Sequence, residues 1–98
     1  MSVKVFLRRD AQAEFDEAFD WYERRKPGLG VDFVAHVQAV FDEIKTRPEM
    51  YATVFQDIRR ATVRRFPYSV FYTVEPQRVV VLAVFHTKRD PTTWRDRA

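Results

Sequence analysis

Seven consecutive apolar residues, Val79 to Phe85, leave this chain few options. A run of that length with no polar face is a strand covered on both sides, so it belongs at the centre of a sheet. The segments before it alternate instead. Val70, Tyr72 and Val74 alternate with Phe71 and Thr73, and Ala61 and Val63 alternate with Arg60, Thr62 and Arg64. Those patterns predict half-buried strands over 70–74 and 59–65, and Tyr51 to Phe55 reads as another. Gln56-Asp57-Ile58 and Glu75-Pro76-Gln77-Arg78 read as turns. Phe66-Pro67-Tyr68 reads as a kink, because proline brings no N–H to a ladder.

Ahead of the strands lies helical periodicity. Val3, Val5 and Leu7 alternate with Lys4, Phe6 and Arg8 as a short strand, and Asp10 then offers an N-cap carboxylate. Ala11, Phe15, Ala18 and Tyr22 form one stripe, with Phe19 beside it. Glu14, Asp16, Glu17 and Asp20 load the early turns, Arg24, Arg25 and Lys26 close the last one, and Pro27-Gly28 breaks the helix. Phe33, Val34, Val37, Val40, Phe41 and Ile44 give the core-facing stripe of a second helix, which Pro48 stops. Asp90-Pro91 reads as the N-cap and first position of a short terminal segment ending in Trp94-Arg95-Asp96-Arg97.

The order β-α-α-β-β-β-β predicts a single α+β domain over residues 1–98. It comprises an N-terminal strand, an antiparallel two-helix hairpin on one face of a mostly antiparallel four- to five-stranded sheet, and a short C-terminal segment. The first strand is too far in sequence from the others for a hairpin, so it is expected beside 79–85. With 46% hydrophobic and 15% aromatic residues the chain is globular, and 98 residues suffice for one core. There is no cysteine, which removes disulfides and thiolate metal ligands. Nothing resembles a signal peptide, and no stretch approaches the ~20 apolar residues of a membrane span, so a cytoplasmic protein is expected.

Charge is unevenly spread. Residues 59–97 hold nine Lys and Arg against three Asp and Glu, whereas residues 1–58 hold eight against eleven. The two halves carry +6 and −3 and sum to the net +3. A basic half favours an anionic partner on one face. Arg59, Arg60, Arg64 and Arg65 have guanidinium forks that match phosphate oxygens, and equally they suit a charged sheet edge that resists aggregation. His86 ends the apolar strand beside Lys88 and Arg89. It is placed either as a general acid or base or as a strand-end histidine bonded to a backbone carbonyl. No spacing unites it with His36, and no metal site or cofactor is expected. Tyr51, Tyr68, Tyr72 and Trp94 interleave with the cations. Tyr72 belongs to the core by its alternation, and Trp94 is the least constrained.

Two segments carry a family resemblance. Arg-Arg-Phe-Pro-Tyr-x-Val-x-Tyr at 64–72 and Val-Leu-Ala-Val-Phe-His-x-x-Arg-Asp-Pro-x-x-Trp-Arg at 81–95, in the predicted element order, resemble the RelE/ParE toxins of type II toxin–antitoxin systems, and more closely the ParE-like branch. The resemblance covers nearly the whole chain. It implies a plasmid-stabilisation or related toxin that inhibits growth, is neutralised by a cognate antitoxin, and has DNA gyrase as its target. Arg59, Arg60, Lys88, Trp94 and Arg95 would then bind partner or target. The alternative is a ribosome-dependent, metal-free mRNA endonuclease in which His86 is the acid or base and Arg64, Arg65 and Arg89 stabilise the phosphorane. Ser69 stands where several of the nucleases carry an arginine, and Trp94 is the aromatic nearest their C-terminal tyrosine. A third reading is a toxin fold that only binds its partner. The Phe33–Ile44 stripe is expected to stay partly uncovered by the sheet, leaving an apolar groove for an acidic antitoxin segment.

Overall fold

A computed structural model describes residues 3–98. Its elements are β1 (Lys4–Leu7), α1 (Arg9–Arg25), α2 (Leu29–Thr46), β2 (Thr53–Phe55), β3 (Ile58–Thr62), β4 (Tyr68–Val74), β5 (Arg78–His86) and α3 (Thr92–Arg95). The five strands form one sheet in the order β1-β5-β4-β3-β2. β1 lies parallel to β5, with Lys4 opposite Arg78 and Leu7 opposite Val81, and every other pairing is antiparallel. The α+β fold, the helical hairpin and the pairing of the N-terminal strand with the apolar one are therefore as the sequence reads.

The helical hairpin covers one face of the sheet, hereafter the front. Phe33, Val37 and Ile44 of α2 and Ala11 of α1 are fully excluded from water and pack with Ala61, Val70, Tyr72, Val79, Val81 and Val84. The back carries a smaller cluster of Ile58, Phe71, Val80, Leu82, Ala83, Phe85 and Trp94. Both faces of β5 are thus buried, which is why it tolerates no polar residue between Val79 and Phe85.

Several boundaries differ from the sequence reading for local reasons. Asp10 is not the N-cap: the helix starts at Arg9, and Arg8 holds the cap position without a side-chain bond. The Arg8 amide instead donates to Val81 O at 3.0 Å, so β1 runs into α1 with no capping residue between them. Asp10 acts only as a first-turn charge. Pro91, expected as the first position of α3, takes its cap position, while the Asp90 carboxylate accepts from the Thr92 amide at 3.0 Å. Ile58 leaves the turn and opens β3, because its side chain has a fully buried place on the back. β3 ends at Thr62, so Arg64 and Arg65 lie in the connection to β4, where Arg65 has φ +69°. The α2 stripe is not left open. Phe33, Val37, Val40, Phe41 and Ile44 are all buried, Val34 is half-buried, and the large apolar residue that α2 exposes is Val31.

The hairpin turn depends on one acidic residue. The Glu23 carboxylate accepts from the Gly28 amide at 2.9 Å and from the Gly30 amide at 3.0 Å, satisfying N–H groups that the start of α2 would leave bare. Gly28 has φ +91° and needs the freedom of glycine. Gly30 is required for a different reason: a Cβ there would lie 2.6 Å from Phe19 O.

Candidate functional site

A β-bulge on β5 decides what its C-terminal end presents. Val81 sits opposite Tyr72 and Ala83 opposite Phe71, so Leu82 is an extra residue on the β5 side. Before the bulge Val79 and Val81 face the helices; after it Val84 does. His86 consequently projects to the same side as Tyr68, with ring centroids 5.2 Å apart. Simple alternation from Val79 would have sent it to the back.

On the back, between β2, β3 and α3, lies a cleft of roughly 500 Å³ whose lining includes Arg60, Ser69, Phe71, His86, Arg89, Trp94 and Arg95. It contains no acidic residue. The guanidinium carbon of Arg89 lies 4.5 Å from the Phe85 ring centroid, and that of Arg95 lies 5.5 Å from both Phe55 and Trp94. Aromatic faces restrain these arginines, and Arg89 also reaches the Glu14 carboxylate at 3.5 Å. On the floor, Ser69 is 2% exposed and its hydroxyl has no hydrogen-bond partner. A cleft of this composition attracts negative charge.

The structure scatters the other basic residues. Arg59 donates to Tyr51 O at 2.6 Å and Glu49 O at 3.2 Å, which makes it a brace for the loop before β2. Arg64 lines a shallow hollow beside α2 with His36, Glu43 and Tyr51, away from the back cleft. Arg65 is exposed in the turn. Arg64 and Arg65 are thus not brought to the cleft that holds Arg60, Arg89 and Arg95. Lys88 is exposed just beyond β5. Trp94 is 5% exposed and stacks on Phe71 at 4.0 Å and 15°, so it forms a wall of the cleft.

His86 is fixed by its own turn. Its Nδ1 accepts from the Lys88 amide at 3.1 Å, the reverse of the expected bond to a carbonyl. That bond selects the tautomer with the proton on Nε2. The nitrogen free to face a ligand is therefore a donor. His36 is engaged elsewhere, its Nδ1 lying 2.8 Å from Asp32 O. Among the described residues no group of three or more His, Cys, Asp or Glu is placed to hold a metal ion, and no helix is long and apolar enough to cross a membrane.

Two residues that sequence reasoning missed join the layers. Glu14 of α1 and Arg97 beyond α3 form a bidentate pair, with Nη1–Oε1 at 3.0 Å and Nη2–Oε2 at 2.9 Å. Arg97 also donates to the bulge carbonyl of Leu82 at 2.9 Å. No short-range pattern announces this, since 83 residues separate the partners.

Residues 5–91 match the family described as ParE toxin of type II toxin-antitoxin system, parDE, and the chain belongs to that family. Among solved structures, one described as the chromosomal ParDE toxin–antitoxin system from P. aeruginosa is similar in fold. It has a TM-score of 0.77 and 18% identity, and the match covers 89% of this chain and 98% of that one. No curated protein gives a significant sequence match.

Proposed function

We propose that this toxin inhibits growth by binding, with DNA gyrase as its target, and that a cognate antitoxin neutralises it in the cytoplasm. The observation that carries this reading is the composition of the back cleft. Arg60, Arg89 and Arg95 supply charge there, and His86 is the group on its lining that could take up a proton. In the metal-free nuclease alternative, a base must accept the proton of the attacking 2′-hydroxyl. The Lys88 amide already occupies His86 Nδ1, and Arg64 and Arg65 lie outside the cleft. Ser69 adds only a neutral hydroxyl. Such a surface favours recognition over bond cleavage.

The test is induced expression of the chain alone in a bacterial host, following plasmid supercoiling together with the 5′ ends of cellular mRNA. Loss of supercoiling or DNA breaks with intact mRNA is the expected result. Ribosome-phased mRNA cuts that vanish in His86→Ala would replace it with the nuclease reading. Unimpaired growth with neither signal would leave a toxin fold that only binds its partner.

A further inference from the structure

The hydroxyl of Ser69 does nothing for the fold. Ser69 lies on β4 opposite Phe85, on the back face, and its neighbours there, Phe71 and Phe85, belong to the buried apolar cluster. Its hydroxyl is buried with no partner within the protein, which costs stability that an alanine would not. What surrounds it is a set of donors. Ser69 lines the back cleft with guanidinium groups from three elements: Arg60 from β3, Arg89 from the turn after β5, and Arg95 from α3. All three arginines are exposed. Among the described residues Arg60 and Arg95 form no ion pair, and Arg89 reaches Glu14 at 3.5 Å while Arg97 holds the same carboxylate at 2.9 Å. Donors arriving from several directions suit a tetrahedral phosphoryl group, whereas a planar carboxylate is satisfied by one fork.

The aromatic residues narrow the source of that phosphate. Phe71 and Trp94 stack on each other at 4.0 Å and are each 5% exposed, and Phe85 is buried beneath Arg89. Phe55 has the Arg95 guanidinium over its ring. None of these four rings offers an open face to an unpaired base, so the cleft lacks the stacking platform that single-stranded recognition uses. We propose that the back cleft is a phosphate site for the backbone of duplex DNA, with Arg60, Arg89 and Arg95 as its cations and the Ser69 hydroxyl as a neutral donor on its floor. This proposal rests on the gyrase reading above, and it sets the cleft against the DNA that the target holds.

The test titrates the full chain with a labelled short DNA duplex, its single strand, ATP, inorganic phosphate and a poly-glutamate peptide. The duplex should bind at least about fivefold more tightly than the single strand. Its affinity should fall with salt at a log–log slope of about −3, as three neutralised phosphates require. Arg60→Gln should flatten that slope by about 1. Lys26→Gln removes the same charge from the exposed end of α1 and should leave affinity within about twofold. Ser69→Ala removes no charge, so it should weaken the duplex about fivefold at an unaltered slope, with a urea midpoint at or above that of the unaltered chain. Duplex binding that survives both Arg60→Gln and Ser69→Ala unchanged would overturn the site. Displacement of the duplex by poly-glutamate at matched charge would also sink it, since the cleft would then take carboxylates. Saturation by ATP or inorganic phosphate without duplex binding would overturn DNA as the source and assign the phosphate chemistry to a free nucleotide. Supercoiling lost in cells expressing a chain that binds no duplex would refute this site and leave the gyrase reading standing. Duplex binding by a chain that leaves supercoiling intact would refute the gyrase reading alone.

Discussion

Arg97 is the residue whose loss should be felt most widely. Its side chain and that of Glu14 are 14% and 10% exposed, so the pair is largely withdrawn from solvent. Removing Arg97 leaves the Glu14 carboxylate with only the Arg89 guanidinium at 3.5 Å and the Val84 amide, at a cost of up to about 3 kcal/mol. Arg97→Ala should lower stability by that amount in urea unfolding, and adding Glu14→Gln should restore part of it. Alkaline titration tests a second set of single residues. Burial raises the pKa of Tyr22, Tyr68 and Tyr72, and burial followed by the hydrogen bond to Glu43 pushes Tyr51 up to about 12. The folded state therefore holds phenolic protons that the unfolded chain releases near pH 10. Their contribution is complete below pH 10 and is lost as pH rises toward 12. Phenolate absorbance should lag behind that of free tyrosine, and stability should decline through that window. Phenolate appearing at pH 10 with unchanged stability would contradict it.

At the scale of elements, the helical hairpin and the strand order were legible because each rests on a local period. Phe33 to Ile44 repeats at helical spacing, and Val79 to Phe85 is too apolar for any place but the sheet centre. What escaped notice has no period. The Leu82 bulge is invisible in Val-Leu-Ala-Val, since every residue there is apolar whichever face it takes. Yet it determines that the His86 ring meets Tyr68. Glu23 escaped for a similar reason: it reads as one more helical acid, although it caps the next helix. The two glycines of this turn give a prediction that separates their roles. Gly30→Ala must push apart α1 and α2, with a Cβ meeting Phe19 O at 2.6 Å, and should cost about 2 kcal/mol or more. Gly28→Ala meets nothing within 4 Å and should cost about 1 kcal/mol through its positive φ alone. Denaturant midpoints of the two variants would show equal losses if packing between the helices were loose.

Across the whole molecule two hollows flank the sheet and share His86 and Arg89. The back of the sheet gathers Arg60, Arg89 and Arg95 around an acid-free cleft, while a groove walled by Ala18, Trp21 and Tyr22 of α1 opens on the helical side. The basic half of the sequence foretold the first of these but not its membership: Arg59 braces a loop, Arg64 and Arg65 leave the sheet, and Trp94 turns inward. Sorting those roles required the register of β3 on β4, which places Arg60 opposite Phe71 on the back. If the two surfaces act separately, charge at one can be reversed without disturbing the other. The double change Arg60→Glu and Arg95→Glu alters exposed side chains, so stability should move by no more than about 1 kcal/mol. It replaces two cations in the cleft with anions, so growth inhibition on induced expression should disappear. Affinity for the antitoxin should stay within about threefold of the unaltered chain, since neither residue lines the α1 groove. Simultaneous loss of both properties in a variant that still unfolds cooperatively at its normal midpoint would mean that target and antitoxin share the back cleft, and that neutralisation is direct competition for its arginines.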